Sequence, residues 1–328
     1  MLDIDVLRPF LQTTLESTDF KNLGQKETGK VRDVYIQSKE CHPELVPSAK
    51  LRTGSGRRIL IATDRQSAFD RLWCTIPLKG QILTQISAWW FERVKDIMPT
   101  HIIAIPDHNV MVVKDLQMIP IEIVVRGHLT GSTKTSAWVN YEKGIRDFCG
   151  NRLPDGMVKN QPFDSPIITP TTKSEDDELI DPKGILEGGL ATKKQWEEIS
   201  HKAFALFARG QEIAAEHGLI LVDTKYEMGL DENGILTLAD EVHTPDSSRY
   251  WRSETTEPLD KEFFRLWLRE QGFEYGKPPP LITDDVRLEL AQKYIDLYER
   301  ITGTTFILPP PTDPTERMEK NLVKWHVS

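Results

Sequence analysis

The segment from Leu219 to Trp251 constrains the fold of this 328-residue chain more than any other stretch. It opens with an apolar run typical of a strand, passes through the turn-forming sequence Asp-Glu-Asn-Gly at 231–234 and continues as a second strand. Because side chains alternate between the two faces of a strand, Asp223, Lys225 and Glu227 are expected to share one face. The segment therefore predicts an antiparallel hairpin with one strongly charged face.

The register of this hairpin decides whether two carboxylates meet. A two-residue turn at Asn233-Gly234 would place Glu227 directly opposite Asp240, a four-residue loop would shift the two diagonally on one face, and a three-residue loop would separate them. Opposed carboxylates repel each other, so a positive group is expected between them. Mg²⁺ that holds nucleotide phosphates is the usual occupant, and we predict Glu227 and Asp240 as its ligands. The alternative is a solvated acidic face.

Composition disfavours several classes of protein. The 41 basic and 50 acidic residues give a net charge of −9, which disfavours a general binder of nucleic acid or acidic membranes but is compatible with a local basic pocket. The three cysteines form no Cys-x-x-Cys pair, which favours a reducing compartment over a disulfide framework or zinc site. The N-terminus does not read as a signal peptide, and no apolar run approaches the roughly 20 residues that span a bilayer. We expect a cytoplasmic monomer or small homo-oligomer that binds small molecules.

Hydrophobic periodicity predicts the order of strands and helices. Short runs rich in β-branched residues predict strands over 31–36, 58–62, 110–114 and 121–125. Helical spacing predicts helices over 79–96, 192–218, 259–271 and 284–301, and a capping box of Thr192 and Gln195 begins the second. The stretch 150–184 contains five prolines and no sustained periodicity, so an irregular lid or binding loop, or else a disordered segment, is expected there.

These elements predict an α+β fold with two lobes. Residues 1–116 are expected to form a mostly antiparallel β lobe, kinase-like or ATP-grasp-like, that covers the phosphates of ATP. Residues 117–328 are expected to form a larger α/β lobe that binds substrates and metal and ends in helices.

A glycine-rich motif near the start has the G-x4-G-K spacing of a P-loop. Val31 stands where Ser or Thr would bind Mg²⁺, and the residues after it predict a strand where a P-loop has a helix. A turn between two strands that covers phosphates, as in kinase-type folds, is therefore favoured. The alternative is an ordinary hairpin turn with solvated lysines. The predicted nucleotide-binding residues here are Gly24, Lys26, Gly29, Lys30 and Arg32.

Two arginines are candidates for binding an anionic substrate. Arg126 ends a predicted strand, and the turn after it offers backbone N–H groups and hydroxyls that suit a phosphate or carboxylate. Arg249 follows a second hydroxyl-rich loop. Either arginine alone would more often form a surface ion pair. The predicted substrate-binding residues are Arg126, Gly127, Ser132, Asp246, Ser248 and Arg249.

Several blocks, taken in order over 24–251, resemble the SAICAR synthetase family, and we interpret the chain as the eukaryotic monofunctional type. The blocks are GKVRD from Gly29, ATDRQSAFD from Ala62, EIVVRGHLTGS from Glu122, DTKYEMG from Asp223 and DEVHTPDSSRYW from Asp240. The family joins L-aspartate to carboxyaminoimidazole ribonucleotide, consuming ATP with Mg²⁺. The resemblance therefore implies an ATP-dependent carbon–nitrogen ligase of purine biosynthesis.

The resemblance also implies roles for individual residues. It places Lys114, Met118 and Glu227 beside the nucleotide and Lys173 in a loop near the substrates, and it implies catalytic roles for Asp223, Lys225 and Lys173. A carboxylate is a poor acyl electrophile, so ATP is expected to convert it to an acyl phosphate that the aspartate amine attacks. Such a reaction needs positioned phosphates and charge stabilisation more than a protein nucleophile.

Two other functions are compatible with parts of the sequence. A small-molecule kinase on the same nucleotide-binding fold would need only a hydroxyl acceptor, whereas a ligase should spare ATP unless both other substrates are present. A non-enzymatic nucleotide-binding protein would lack the metal carboxylates, and Glu227 and Asp240 argue against it.

Overall fold

A computed structural model describes residues 2–37, 56–174, 177–274 and 278–327. Cys41, one of the three cysteines, and Glu175 and Asp176, the acidic residues that follow Lys173-Ser174, lie outside these ranges. The strands are β1 (Gln25–Thr28), β2 (Arg32–Gln37), β3 (Arg57–Ala62), β4 (Arg65–Ala68), β5 (Arg71–Thr75), β6 (Ile102–Asp107), β7 (Val110–Lys114), β8 (Gln117–Met118), β9 (Ile121–His128), β10 (Asp147–Phe148), β11 (Asn151–Arg152), β12 (Pro162–Ile168), β13 (Thr171–Thr172), β14 (Leu219–Leu230), β15 (Leu236–Ala239) and β16 (Ser248–Arg252). The helices are α1 (Lys79–Val94), α2 (Ala137–Glu142), α3 (Pro182–Glu187), α4 (Lys193–Glu216), α5 (Glu262–Glu270), α6 (Asp284–Thr302) and α7 (Pro314–Leu322). The predicted α+β class is confirmed, and helix ends differ from prediction by up to three residues.

The first sheet is built from the N-terminal third of the chain, in the order β1-β2-β3-β7-β6 with antiparallel pairing. One face packs against α1, where Leu60 and Met111 join the main core. The other face buries Tyr35 and Ile59 against Met318 of α7, so the C-terminal helix completes the core of an N-terminal sheet.

The second sheet follows the order β12-β9-β14-β15, with β16 and β8 also pairing β14 and β13 pairing β9. Its longest strand, β14, carries the apolar run and the alternating charges noted in the sequence. Helix α4 packs on β14 and β9, and the predicted capping box of Thr192 and Gln195 at its start is confirmed. Both edges of β14 are therefore paired at the place where its charged residues lie.

The expectation of an irregular segment at 150–184 is wrong in part. This segment contributes β11, β12, β13 and α3, and β12 pairs with β9 at the edge of the second sheet. Pro162 and Pro166 lie within β12, where the edge position tolerates residues that cannot donate a ladder hydrogen bond. The prolines argue against a strand in the sequence, but an edge strand can contain them because some of its N–H groups have no partner strand to bond.

The predicted direct opposition of Glu227 and Asp240 is also wrong. Glu227 pairs with Ala239, and Leu230 pairs with Leu236, which leaves residues 231–235 as the loop. Asp231 Oδ1 accepts hydrogen bonds from the N–H groups of Ile235, at 3.0 Å, and of Asn233, and so stabilises this longer turn.

Within the described ranges, no helix is long and apolar enough to cross a membrane.

Candidate active site

Three neighbouring strands place two arginines on either side of one aspartate. Arg126 of β9 and Arg249 of β16 are both directly opposite Asp223 of β14. Asp223 Oδ2 accepts hydrogen bonds from Arg249 Nη1 at 2.6 Å and from Arg126 Nη1 at 3.4 Å. All three side chains are buried. We call this row the arginine clamp (Arg126, Asp223 and Arg249).

Further contacts fix each arginine of the clamp. Arg126 donates to Thr169 Oγ1 at 2.7 Å and to the Thr135 carbonyl at 3.1 Å. Arg249 Nη2 lies 3.4 Å from Glu262 Oε2. Burial lowers the pKa of Arg126, whereas two neighbouring carboxylates overcome burial and raise the pKa of Arg249. Buried, oriented guanidinium groups of this kind suit a phosphate or carboxylate ligand.

Two more cations at helix α5 line the same cleft, Lys261 and Arg265. Lys261 Nζ lies 3.1 Å from Ser67 Oγ and 3.5 Å from Asp246 Oδ2. Burial lowers the pKa of Lys261 to about 8, although the Asp246 carboxylate opposes the effect. The sequence does not single out Lys261 and Arg265, because the aromatic residues in this segment predict a helix that serves only in packing. The available signal is the spacing, because Lys261, Arg265 and Arg269 recur every four residues and so share one helix face.

Lys225 lies at the centre of a second charged group. Its Nζ atom is 2.8 Å from Glu227 Oε1, 3.0 Å from Glu122 Oε1 and 3.9 Å from Asp240 Oδ2. Lys173 also pairs with Glu227. Burial would raise the pKa of Glu227, but the two lysines overcome it and lower that pKa. We call Glu122, Lys173, Lys225, Glu227 and Asp240 the carboxylate cluster.

Asp240 reaches this cluster through its backbone conformation. Its φ of 62° lies in the left-handed region, so the chain leaves the extended path of β15 at this residue. Arg32 of β2 pairs with Asp240 and places Nη2 2.7 Å from Glu241 Oε2. The positive groups expected near the two carboxylates are therefore side chains, with Lys225 lying between Glu227 and Asp240.

The donor set of the cluster fits only one kind of metal site. In the part of the chain that the structure describes, no group of three or more His, Cys, Asp or Glu side chains is arranged to hold a metal ion. Mg²⁺ in nucleotide sites needs fewer protein ligands, because one or two carboxylates bind it together with substrate phosphates. Glu227 and Asp240, both near Lys225, supply two such carboxylates.

The glycine-rich turn joins two strands, so the P-loop alternative is wrong: β2 begins at Arg32 with no helix after the motif. Arg65 donates to the carbonyl of Gly29 at 2.9 Å and to that of Lys30 at 3.2 Å. Lys30 lines the cleft, and its Nζ lies 2.8 Å from Asp70 Oδ1. Part of the block that begins at Ala62, whose role the sequence does not reveal, therefore positions this turn.

Three predicted ligand-binding residues make close contacts within the protein. Gly24, with a φ of 101°, lies so close to a carbonyl of β2 that a Cβ atom would clash. Lys26 Nζ lies 3.0 Å from Asp33 Oδ2. A Cβ atom at Gly127 would lie 3.4 Å from Phe207 Cζ, so this glycine permits close packing of α4.

The remaining predicted substrate-binding residues surround the clamp. Asp246 lines the cleft, but its Oδ2 accepts a 2.8 Å hydrogen bond from the buried Lys79 Nζ, and so it fixes cations there. Ser248 also lines the cleft, with its Oγ 2.7 Å from Thr224 Oγ1. Ser132 is buried next to the residues that line the cleft.

Lys114 and Met118 lie where the two sheets meet. Lys114 ends β7, and its N–H group donates to the His101 carbonyl at 2.8 Å. Met118 pairs with Gly229 of β14. A Cβ atom at Gly229 would lie 2.9 Å from Leu116 Cβ, so the glycine permits this close approach. The connection from the first sheet therefore runs directly along the strand that carries the clamp and the cluster.

Fold and cleft together define a class: an α+β enzyme whose two sheets meet at a cleft lined by cations and carboxylates suited to phosphorylated substrates. Residues 25–280 match the family described as SAICAR synthetase. The phosphoribosylaminoimidazole-succinocarboxamide synthase of Legionella pneumophila (strain Paris) is 44% identical over 315 residues, 92% of this chain and 96% of that protein. The chain belongs to the SAICAR synthetase family and carries the corresponding carbon–nitrogen ligase activity of purine biosynthesis.

Solved structures agree with this assignment. The SAICAR-synthase from Saccharomyces cerevisiae complexed with SAICAR has a TM-score of 0.74 and 29% identity, covering 90% of this chain and 100% of that one. A type-2 SAICAR synthetase in complex with ADP has a TM-score of 0.64 and 24% identity, covering 87% of this chain and 100% of that one. At that identity the second structure supports the fold alone.

Proposed function

We propose that the cleft along β14 is the active centre, and that alternate residues of this one strand divide its work. Asp223 belongs to the arginine clamp, while Lys225 and Glu227 belong to the carboxylate cluster. Because these three residues alternate along an extended strand, the clamp and the cluster open onto the same cleft. This alternation is the observation that carries the proposal.

The clamp is proposed to bind carboxyaminoimidazole ribonucleotide. Arg126 and Arg249 have planar, oriented donors that match a phosphate or a carboxylate, and Lys261 and Arg265 add positive charge in the same cleft. Asp223 accepts hydrogen bonds from both arginines, so we assign it a positioning part in catalysis. The carboxylated product that the yeast structure contains is the kind of anion such a site selects.

The carboxylate cluster and the glycine-rich turn are proposed to bind ATP. Lys30 and Arg32 would contact its phosphates, and Lys114 and Met118 would line the adenine side at the junction of the sheets. A related enzyme that contains ADP supports nucleotide binding in this fold. Glu227 and Asp240 would hold Mg²⁺ together with the phosphates, and the ion would neutralise their charge. The pairs that Lys173 and Lys225 now make would then rearrange.

The reaction needs no protein nucleophile. The ribonucleotide carboxylate attacks the γ-phosphorus of ATP, ADP leaves, and an acyl phosphate forms. The amine of L-aspartate then attacks the acyl carbon, the amide bond forms, and phosphate and a proton are released. Lys225 is the member of the cluster that follows Asp223 of the clamp on the same face of β14, and its ammonium group would stabilise the charge that develops as the phosphoryl group is transferred. Lys173 is proposed to orient the phosphates from the opposite side of Glu227.

Four finer features complete the proposal. The division into lobes at 1–116 and 117–328 is supported by the two sheets, whose strands lie on either side of that boundary. The eukaryotic monofunctional type is supported by the yeast structure, although the Legionella relative is bacterial. The cytoplasmic location and the monomeric or small oligomeric state remain predictions from composition.

Omission of substrates tests the proposal. ADP release is measured with ATP, Mg²⁺, L-aspartate and the carboxylated ribonucleotide, and each is left out in turn. We expect full release only with all four. Release that persists without L-aspartate at the complete-mixture rate would favour the small-molecule kinase and contradict the proposed ligation in this cleft.

A further inference from the structure

The position of Asp240 requires an explanation that the hairpin alone does not give. Since Ala239 pairs with Glu227, the next residue of an extended strand would point to the opposite face. Asp240 joins Glu227 beside Lys225 only because its backbone is left-handed, with a φ of 62°. This conformation costs free energy for a residue with a Cβ atom, although less for Asp than for most, and both Arg32 and His101 contact Asp240 there.

The contact made by its backbone N–H group comes from a segment outside the hairpin. The N–H group of Asp240 donates to His101 Nδ1 at 3.2 Å. Residues 99–101 run beside β15, where Leu238 donates to the Pro99 carbonyl at 2.9 Å and His101 donates to the Leu238 carbonyl at 3.0 Å. The side chain of His101 adds the next hydrogen bond of this ladder, to Asp240, the first residue after β15.

The imidazole itself is held rigidly. His101 is 3% exposed, and its ring lies 5.2 Å from the Phe91 ring of α1. Because Nδ1 accepts the Asp240 N–H group, the neutral ring carries its proton on Nε2, which makes no hydrogen bond with the described residues. An apolar side chain of similar size would fill the same space and leave the Asp240 N–H group unpaired.

We infer that His101 is a positioning residue, which fixes the backbone of Asp240 so that its carboxylate stands beside that of Glu227 for Mg²⁺ and nucleotide. This inference rests on the proposed metal role of Asp240. In the proposed site His101 contacts none of the substrates and acts only through Asp240.

Three substitutions separate this role from simple packing. His101→Asn places Oδ1 near the position of Nδ1 and can accept the same hydrogen bond. His101→Gln carries its acceptor farther out, near the position of Nε2, and His101→Leu has no acceptor. Binding of ADP is measured by calorimetry over a range of Mg²⁺ concentrations, and hydrogen exchange of the Asp240 amide is measured without metal.

We expect His101→Leu and His101→Gln to raise the Mg²⁺ concentration for half-maximal ADP binding by about tenfold, the effect of one lost buried hydrogen bond. The Asp240 amide should exchange faster in both, and His101→Asn should restore both measurements. Equal exchange in His101→Leu and the unaltered protein would overturn the inference, and so would equal effects of Asn and Leu.

Asp240→Asn separates this inference from the proposed function. If this substitution leaves the Mg²⁺ dependence unchanged, the metal role of Asp240 is wrong, and amide exchange alone then decides whether His101 holds the backbone. If Asp240→Asn shifts the dependence and His101→Leu does not, the metal role stands and the inference about His101 is wrong.

Discussion

Asp223 of β14 lies directly opposite Arg249 of β16, and its Oδ2 atom accepts a 2.6 Å hydrogen bond from Arg249 Nη1. The same oxygen lies 3.4 Å from Arg126 Nη1 on the other neighbouring strand. One carboxylate thus aligns two guanidinium groups across three strands. Substitution of one of these arginines should therefore raise the KM for the ribonucleotide much more than the KM for ATP.

The clamp predicts selective loss of ribonucleotide binding. Arg249→Ala should raise the KM for the ribonucleotide by ~10- to 150-fold, because a charge-assisted hydrogen bond contributes ~1.5–3 kcal/mol. The KM for ATP should change by less than about threefold, which corresponds to under 1 kcal/mol. Initial rates with each substrate varied provide the measurement. Arg209→Ala, which removes a partly exposed ion pair with Asp96, is the matched control. Equal effects on both KM values would contradict separate subsites.

Lys261 predicts a pH dependence. Burial lowers its pKa to about 8, so Lys261 loses its proton, and the cleft loses a positive charge, as pH rises through that value. The KM for the ribonucleotide should rise by about tenfold between pH 7 and 9. Lys261→Arg should remove this rise, because a guanidinium stays charged throughout. A rise of the same size in the Arg variant would show that another group is responsible.

Asp260 predicts a pH dependence of stability. Burial raises its pKa to about 7, against hydrogen bonds from the N–H groups of Tyr250 and Glu262. Between about pH 4 and 7 the folded chain then binds more protons at this site than the unfolded chain. Its contribution is present at low pH and is lost as pH rises through 7.

Asp260→Asn should flatten that loss. The difference in free energy of unfolding, variant minus unaltered protein, should increase by on the order of 1 kcal/mol between pH 5 and 8. Denaturant unfolding at several pH values measures the difference. Asp313→Asn, at the exposed start of α7, serves as the control. Parallel stability curves for Asp260→Asn and the unaltered protein would refute the prediction.

Gly24 and Lys30 predict opposite outcomes. Gly24→Ala should cost ~1–3 kcal/mol of stability, because φ is 101° and a Cβ atom meets a carbonyl, while the KM for ATP should stay unchanged. Lys30→Ala should raise that KM with little loss of stability, because Lys30 and Asp70 are largely exposed. Thermal unfolding and ATP titrations of both variants measure the contrast. A higher KM for ATP in a folded Gly24→Ala protein would contradict this expectation and support the nucleotide contact that the sequence predicts for Gly24.

The charged hairpin face could be predicted because it depends on alternation along one strand. Asp223, Lys225 and Glu227 alternate in the sequence, and their side chains meet the clamp and the cluster in the structure. The position of Asp240 could not be derived in this way. It depends on a five-residue loop, a left-handed backbone and a contact from His101, more than a hundred residues away in the chain.

Contacts between elements explain other features that the sequence pattern does not reveal. Lys26 pairs with Asp33 of the neighbouring strand, and Gly127 lies against α4, two contacts that the motifs around these residues do not reveal. Lys261 and Arg265 line the cleft from a helix whose aromatic residues predict packing. Sequence patterns place residues on a face, but only the tertiary fold determines which partner that face meets.

The most direct test of the central claim, that this cleft is the active centre, is the rate of SAICAR formation by Glu227→Gln. This substitution keeps the shape of the side chain but removes the charge that Lys173 and Lys225 contact, and with it a proposed ligand for Mg²⁺. Glu232→Gln, at the exposed tip of the same hairpin, is the control. We predict a loss of at least about 100-fold for Glu227→Gln, as for other preorganised electrostatic groups, and a normal rate for Glu232→Gln. A folded Glu227→Gln protein that forms SAICAR at the normal rate would contradict the assignment.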